Sequence, residues 1–153
     1  MAVNTVEELL AHQFQDMYSA SLQFRAALSK LAGYVDVEQV SRHIDSRRQT
    51  LKAQAERIEK LAAEYQFPVD GKQCAAADGI IREIRDIYDM TDATVRDLAT
   101  LGALRRMACY GMAGYTTCLR LAEKLGYADS AEVAQTALDE DRSSNNQLET
   151  ADV

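Results

Sequence analysis

At 153 residues, 47% hydrophobic and 27% charged, the chain is sized for one ordinary domain with its own core. Seventeen Lys and Arg against 24 Asp and Glu leave a net charge of −7, which argues against a nucleic-acid partner. No apolar run reaches the roughly eighteen residues a membrane span needs, so no membrane segment is expected. The opening MAVNTVEELL lacks a basic stretch followed by an apolar block, so no signal peptide is expected either. Three cysteines, Cys74, Cys109 and Cys118, are odd in number and lack metal-type spacing. That usage suits free thiols in a reducing cytoplasm.

Periodicity and caps give the elements in order. Asn4 or Thr5 can cap a first helix with Glu7 and Glu8 in its first turn. Its seam is Leu10, Phe14, Met17, Ser21, Phe24, Leu28 and Leu31, and Gly33 is its expected stop. A link through Asp36 leads to a second helix, running to about Gln66 ahead of Pro68. Its seam is Val37, Val40, Ile44, Arg47, Leu51, Gln54, Ile58 and Leu61, polar in the middle. PVDGKQ is a turn-rich break. A short helix from Ala75 to about Met90 carries Ile80, Ile81, Ile84, Ile87 and Tyr88. Thr91 or Asp92 caps a long third helix that Gly126 ends. Asp129 or Ser130 caps a last helix, with Val133, Ala137, Leu138, Asp141, Asn145 and Leu148 inward, and the final residues are expected to fray.

Tight links within the first and last pairs imply two antiparallel hairpins, with a long connection crossing between them. The expected fold is all-α, a ferritin-like four-helix bundle with a short extra helix in the crossover, as one domain over residues 4–150.

The middle of the bundle is unusual. On the third long helix Leu101, Leu104, Ala108, Gly111, Tyr115, Cys118, Ala122 and Leu125 share one face, with small residues at its centre. A helical glycine costs about 1 kcal/mol relative to alanine, so Gly111 and Gly114 call for a close neighbour or a bulky group in the gap. The other helices place Ser21, Arg47 with Thr50, and Asp141 with Asn145 at the same level. Di-metal carboxylate bundles put their ligands there, converging about four carboxylates and two imidazoles. Here only Asp141 is a carboxylate, and Arg47 carries a charge that cannot bind a cation. An alternative use of the same positions is a buried Arg47–Asp141 pair, with Ser21, Gln54 or Asn145 completing its hydrogen bonds.

The remaining candidates read as structural. His12 points away from its seam, and His43 is a half-exposed helical histidine. Cys109 and Cys118 project in opposite directions. Tyr18, Tyr110 and Tyr115 read as packing residues with one hydrogen bond each. Arg42, Arg48 and Lys52 read as a solvated face, with a nucleic-acid or partner patch as the alternative, and the helical glycines are no phosphate loop.

DMYSAS around Ser21, AERIEKL, KQCAAADGII, CYGMAGYTTCLRLAEKLGY and ALDEDRSSNNQL, in this order and spacing, resemble the YciE/YciF-type bacterial stress proteins, a ferritin-like family. The resemblance covers nearly the whole chain. It implies a bacterial homodimer and a metal site that this chain has lost residue by residue. Members usually carry glutamate at the position of Ser21 and a His/Glu cluster over Arg47, Gln49, Thr50 and Lys52. They carry glutamates at Ala108 and Gly111, histidine at Cys109, and glutamate and aspartate at Asp141 and Asn145.

The expected role is therefore a metal-free, non-catalytic, homodimeric structural or protein-binding module of the stress response. It is placed in the cytoplasm with no resident cofactor, no nucleic acid and no membrane, and another protein is a further partner. One alternative is a di-iron or di-manganese oxidase or peroxide-scavenging protein, with ligands drawn from Asp141, Asp45, His43 or Cys109. Another is a small-ligand pocket opened by Ala108, Gly111 and Gly114.

Overall fold

Helix α1, Val6–Leu31, starts at a capping box. Thr5 Oγ1 accepts from the Glu8 amide at 3.1 Å, and the Glu8 carboxylate accepts from the amides of Asn4 and Thr5 at 2.8 and 3.1 Å. In this computed structural model, which describes residues 2–151, a 3₁₀ turn over Ala32–Tyr34 follows directly. Gly33 lies inside that turn and is not the left-handed stop the sequence suggested. Helix α2, Glu38–Tyr65, returns antiparallel to α1 and stops at Gln66, which takes the left-handed conformation (φ 57°). Pro68 follows and cannot continue a helix.

The connection then runs the length of the bundle. It contains α3, Ala75–Arg85, and a 3₁₀ turn over Asp86–Asp89. The sequence suggested one helix to Met90. The tighter turn instead eclipses residues three apart, which keeps Ile84 and Ile87 on one buried side. Helix α4, Ala93–Leu125, is capped by Asp92, whose Oδ1 accepts from the Val95 amide at 3.0 Å, and is ended by Gly126 (φ 71°). At about 1.5 Å per residue its 33 residues span roughly 50 Å. Helix α5, Ala128–Glu149, starts a residue or two ahead of the caps expected at Asp129 and Ser130, because the Gly126 turn leaves only Tyr127 as its N-cap. The expectation for the chain beyond Ala151 lies outside the described residues.

Helix α1 faces α2 and α4, and α5 faces α4 and α2, so four long helices enclose one interior while α3 covers α1 and α4. That interior is not one continuous apolar core. One cluster, with Phe24, Leu28, Ile44, Leu51, Leu104, Met107 and Leu148, fills one half. A second, with Leu10, Phe14, Met17, Ile58, Tyr115, Cys118 and Leu138, fills the other. Between them lie Gln54 on α2, Gly111 on α4 and Asp141 on α5, with Arg47 set into the edge of the first cluster between Ile44 and Leu51.

Candidate functional site

Arg47 and Gln54 stand two turns apart on α2, and both reach across to α5. Arg47 Nη1 donates to Asp141 Oδ1 at 2.6 Å, and Gln54 Nε2 donates to the same oxygen at 2.9 Å. All three side chains are buried, at 3%, 2% and 0% exposure for Arg47, Gln54 and Asp141. Helix α4 makes room for them. A Cβ on Gly111 would lie 1.8 Å from Asp141 Oδ2, 2.8 Å from its Cγ and 3.6 Å from Arg47 Nη2. The space left by the missing side chain is thus filled by a carboxylate from the neighbouring helix.

Burial pushes the Asp141 carboxyl above its ordinary range, while the charge of Arg47 and the bonds from Arg47 and Gln54 pull it back. Tyr115 lies buried at the same level. Burial first, and the Asp141 charge second, hold its phenol far above the usual range, so it stays neutral. Arg47 Nε, Asp141 Oδ2 and Tyr115 Oη have no hydrogen-bond partner. The hydrogen bond that the sequence assigned to Tyr115 is not formed, because the nearby Ser21 hydroxyl donates to Met17 O instead.

The other positions singled out by sequence do not join this group. Ser21 is buried but turns back on its own helix, donating to Met17 O at 2.8 Å. Ala108 is fully buried packing. Thr50 lines an outer groove between α2 and α5, with His43 and Ser143. Asn145 is half-buried, donates to Glu149 at 3.3 Å and faces the exposed thiol of Cys109 at 3.8 Å. Asp45 is exposed and pairs with Arg48 at 3.6 Å.

These residues do not fit a di-metal carboxylate centre. A guanidinium occupies the middle, Gly111 and Ala108 offer no donor atoms, and the one inward carboxylate is already bound to Arg47 and Gln54. Among the described residues no three His, Cys, Asp or Glu side chains gather in a ligating arrangement. Asp141, Asp45, His43 and Cys109, the alternative ligand set, point to different surroundings. The mid-bundle pocket expected from Ala108, Gly111 and Gly114 is closed as well. The Asp141 carboxylate fills it at Gly111, and at Gly114 a Cβ would meet Met17 Sδ at 2.1 Å.

A second polar group escaped the sequence reading. Gln15, Ser19 and Gln23 form a ladder with a four-residue step along α1, and it holds the crossover. Gln15 donates to Pro68 O at 2.5 Å and Ser19 to Lys72 O at 2.5 Å. Gln23 donates to Cys74 O at 3.1 Å and accepts from the Cys74 amide at 2.9 Å. Beside the ladder, Tyr110 donates to Asp16, Cys74 Sγ lies 3.1 Å from Tyr110 Oη, and Lys72 reaches Asp16 at 3.4 Å and His12 Nε2 at 3.0 Å. His12 therefore packs against the crossover. The regular polar spacing beside the α1 seam was the available signal.

Fold and site together define an all-α bundle with a polar ion pair built into its centre. The chain belongs to the family described as "Domain of unknown function (DUF892)", whose model matches residues 5–151. It is 31% identical to "Protein YciF" of Escherichia coli strain K12 over 150 residues, covering 97% of this chain and 90% of that protein. Among solved structures it matches "the E. coli stress protein YciF", with a TM-score of 0.90 at 30% identity, covering 96% of this chain and 94% of that one. It also matches "YcfI, a putative structural protein from Rhodopseudomonas palustris", with a TM-score of 0.93 at 29% identity, covering 99% of this chain and 97% of that one. No helix among the described residues is long and apolar enough to cross a membrane.

Proposed function

We propose that this chain acts without a resident metal or catalytic centre, as a homodimeric structural or protein-binding module of the bacterial stress response. The observation that carries this reading is the Arg47–Asp141 pair, 2.6 Å long and buried where a metal centre would need anionic ligands. A buried cation bonded to a buried anion supplies the internal charge balance that the scaffold requires. The names of the relatives, a stress protein and a structural protein, support the same role. Three free thiols support a reducing cytoplasm as its compartment.

The surface supports a second copy as partner. A groove of about 540 Å³ runs between α3 with its 3₁₀ turn and the first half of α4, lined by Ile80, Ile87, Met90 and Ala99. Leu98 and Val95 stand beside it, 54% and 50% exposed. Glu83, Asp86 and Arg106 give the rim both signs of charge. An apolar knob next to a groove of mixed polar and apolar lining on one face can be self-complementary across a two-fold axis. Light scattering during gel filtration is expected to give twice the 17.0 kDa chain mass, and Leu98→Glu to give the single-chain mass with unchanged helicity. Elemental analysis after growth with iron, manganese and zinc is expected to find no stoichiometric metal. A 17.0 kDa species, or two ions per chain, would overturn the corresponding half of the proposal.

A further inference from the structure

At the opposite end of the bundle from the α2 N-terminus, a second pocket of about 160 Å³ opens between the start of α1, the end of α2 and the α4–α5 turn. That is roughly five times the ~30 Å³ a water molecule occupies in the liquid. Its wall holds four aromatic rings in two stacked pairs. Phe14 and Phe67 have centroids 6.3 Å apart, and Tyr65 and Tyr127 have centroids 5.8 Å apart. Tyr65 is 42% exposed at the mouth, and Ser130, 3% exposed, adds a hydroxyl to the lining.

The charge at this end of the bundle is mixed, since Glu64 and Asp129 share a neighbouring groove with Arg57 and Lys60, but the pocket itself carries only a carboxylate. Glu7 is the charged residue of the lining, and no Lys or Arg lines it. Tyr65 sits beside Asp129 and Glu64. Burial, then the charges of those two carboxylates, push its phenol up. Glu7 and Asp129 lie in the first turns of α1 and α5, where the positive helix ends favour carboxylates. The last carbonyls of α2 and α4 end on the same side, so the partial charges of the four helix ends largely offset one another and Glu7 supplies the charge.

Aromatic faces attract cations through their quadrupole, and a small quaternary ammonium gains that attraction without losing strong hydrogen bonds to water. We infer that this pocket binds a small organic cation of the quaternary ammonium class, with the aromatic wall of Tyr65, Phe67 and Tyr127 receiving its methyl groups and Glu7 its charge. An anion does not fit the charge of Glu7, and a large apolar ligand does not fit the volume.

The test is an amide NMR titration of the full chain with choline, run beside its neutral isostere 3,3-dimethylbutan-1-ol. Choline is expected to shift the amides of Glu7, Phe14, Phe67 and Ser130 saturably, and the neutral isostere to bind about tenfold more weakly. Glu7→Gln, an exposed position that leaves the fold intact, is expected to weaken choline about two- to fivefold and leave the alcohol unaffected. Equal binding of the alcohol would make the pocket merely apolar and overturn the inference. So would unsaturable shifts, or shifts spread away from this end of the bundle.

Discussion

Gly111 of α4 and Asp141 of α5 fit together so closely that a Cβ on the glycine would stand 1.8 Å from the carboxylate. The glycine costs α4 about 1 kcal/mol in helix propensity relative to alanine. It is kept because the carboxylate needs that volume to reach Arg47. Gly111→Ala is therefore expected to destabilise by about 3–5 kcal/mol, since displacing Asp141 unpairs a buried guanidinium. Gly114→Ala is expected to cost only about 1–3 kcal/mol, because its obstacle is the flexible thioether of Met17. Urea unfolding of both variants checks the order, and equal costs would contradict the role given to Asp141.

The stretch of the crossover ahead of α3, residues 67–74, is held by side chains of α1 and not by secondary structure of its own. Gln23→Ala leaves the Cys74 amide without its partner, while the Cys74 carbonyl keeps the Asp78 amide, at a local cost of about 1–3 kcal/mol. Hydrogen exchange at the Cys74 amide is expected to accelerate while the centres of α4 and α5 keep their protection. Unchanged exchange at Cys74 would show that the crossover is fixed by other contacts.

Thiol chemistry separates the three cysteines. Cys109 is exposed, whereas Cys74 and Cys118 are buried. Burial pushes the Cys118 thiol up to about 12, so it holds almost no thiolate at neutral pH. Ellman's reagent is expected to find one fast thiol per native chain and three after denaturation. Two fast thiols in the native protein would mean that one of the buried pair, Cys74 or Cys118, becomes exposed, and peptide mapping of the labelled chain tells which.

Alkaline pH tests the Tyr18–Glu59 hydrogen bond, 2.6 Å long. That bond, then burial, then the Glu59 charge raise the Tyr18 phenol from 10.0 to about 12. A group raised on folding lends stability that is complete below its unfolded value and lost as pH climbs through its folded one. The contribution of Tyr18 is thus full up to about pH 10 and disappears towards about pH 12. Tyr18→Phe is expected to flatten the stability curve over that interval. An unchanged slope would place the alkaline loss at other tyrosines.

The sequence carried most of the architecture because the long helices are strongly periodic and well punctuated. Thr5, Asp92 and Gly126 stand where caps and a stop were read. The seam polarity also marked Arg47, Gln54 and Asp141. It failed where one residue's role depends on another helix. Ser21 shares the seam, yet its hydroxyl finds a carbonyl on its own helix first. Asn145 follows Asp141 by one turn, but the close α4–α5 approach turns it to the rim. The small residues of α4 read equally well as a void or a close approach, and only the partner side chains decide between them. The polar ladder of α1 faces a segment without regular structure, so no second periodicity existed to match it.

The central claim is that the bundle centre is held by its own charges. It is tested most directly by a double-mutant cycle on Arg47→Met and Asp141→Asn, the amide being chosen to keep an acceptor for Gln54. Unfolding free energies are measured for the two single variants and for the double. The account predicts that each single variant loses about 3–5 kcal/mol and that the double recovers most of the loss. A double variant that loses the sum of the two single costs would contradict it.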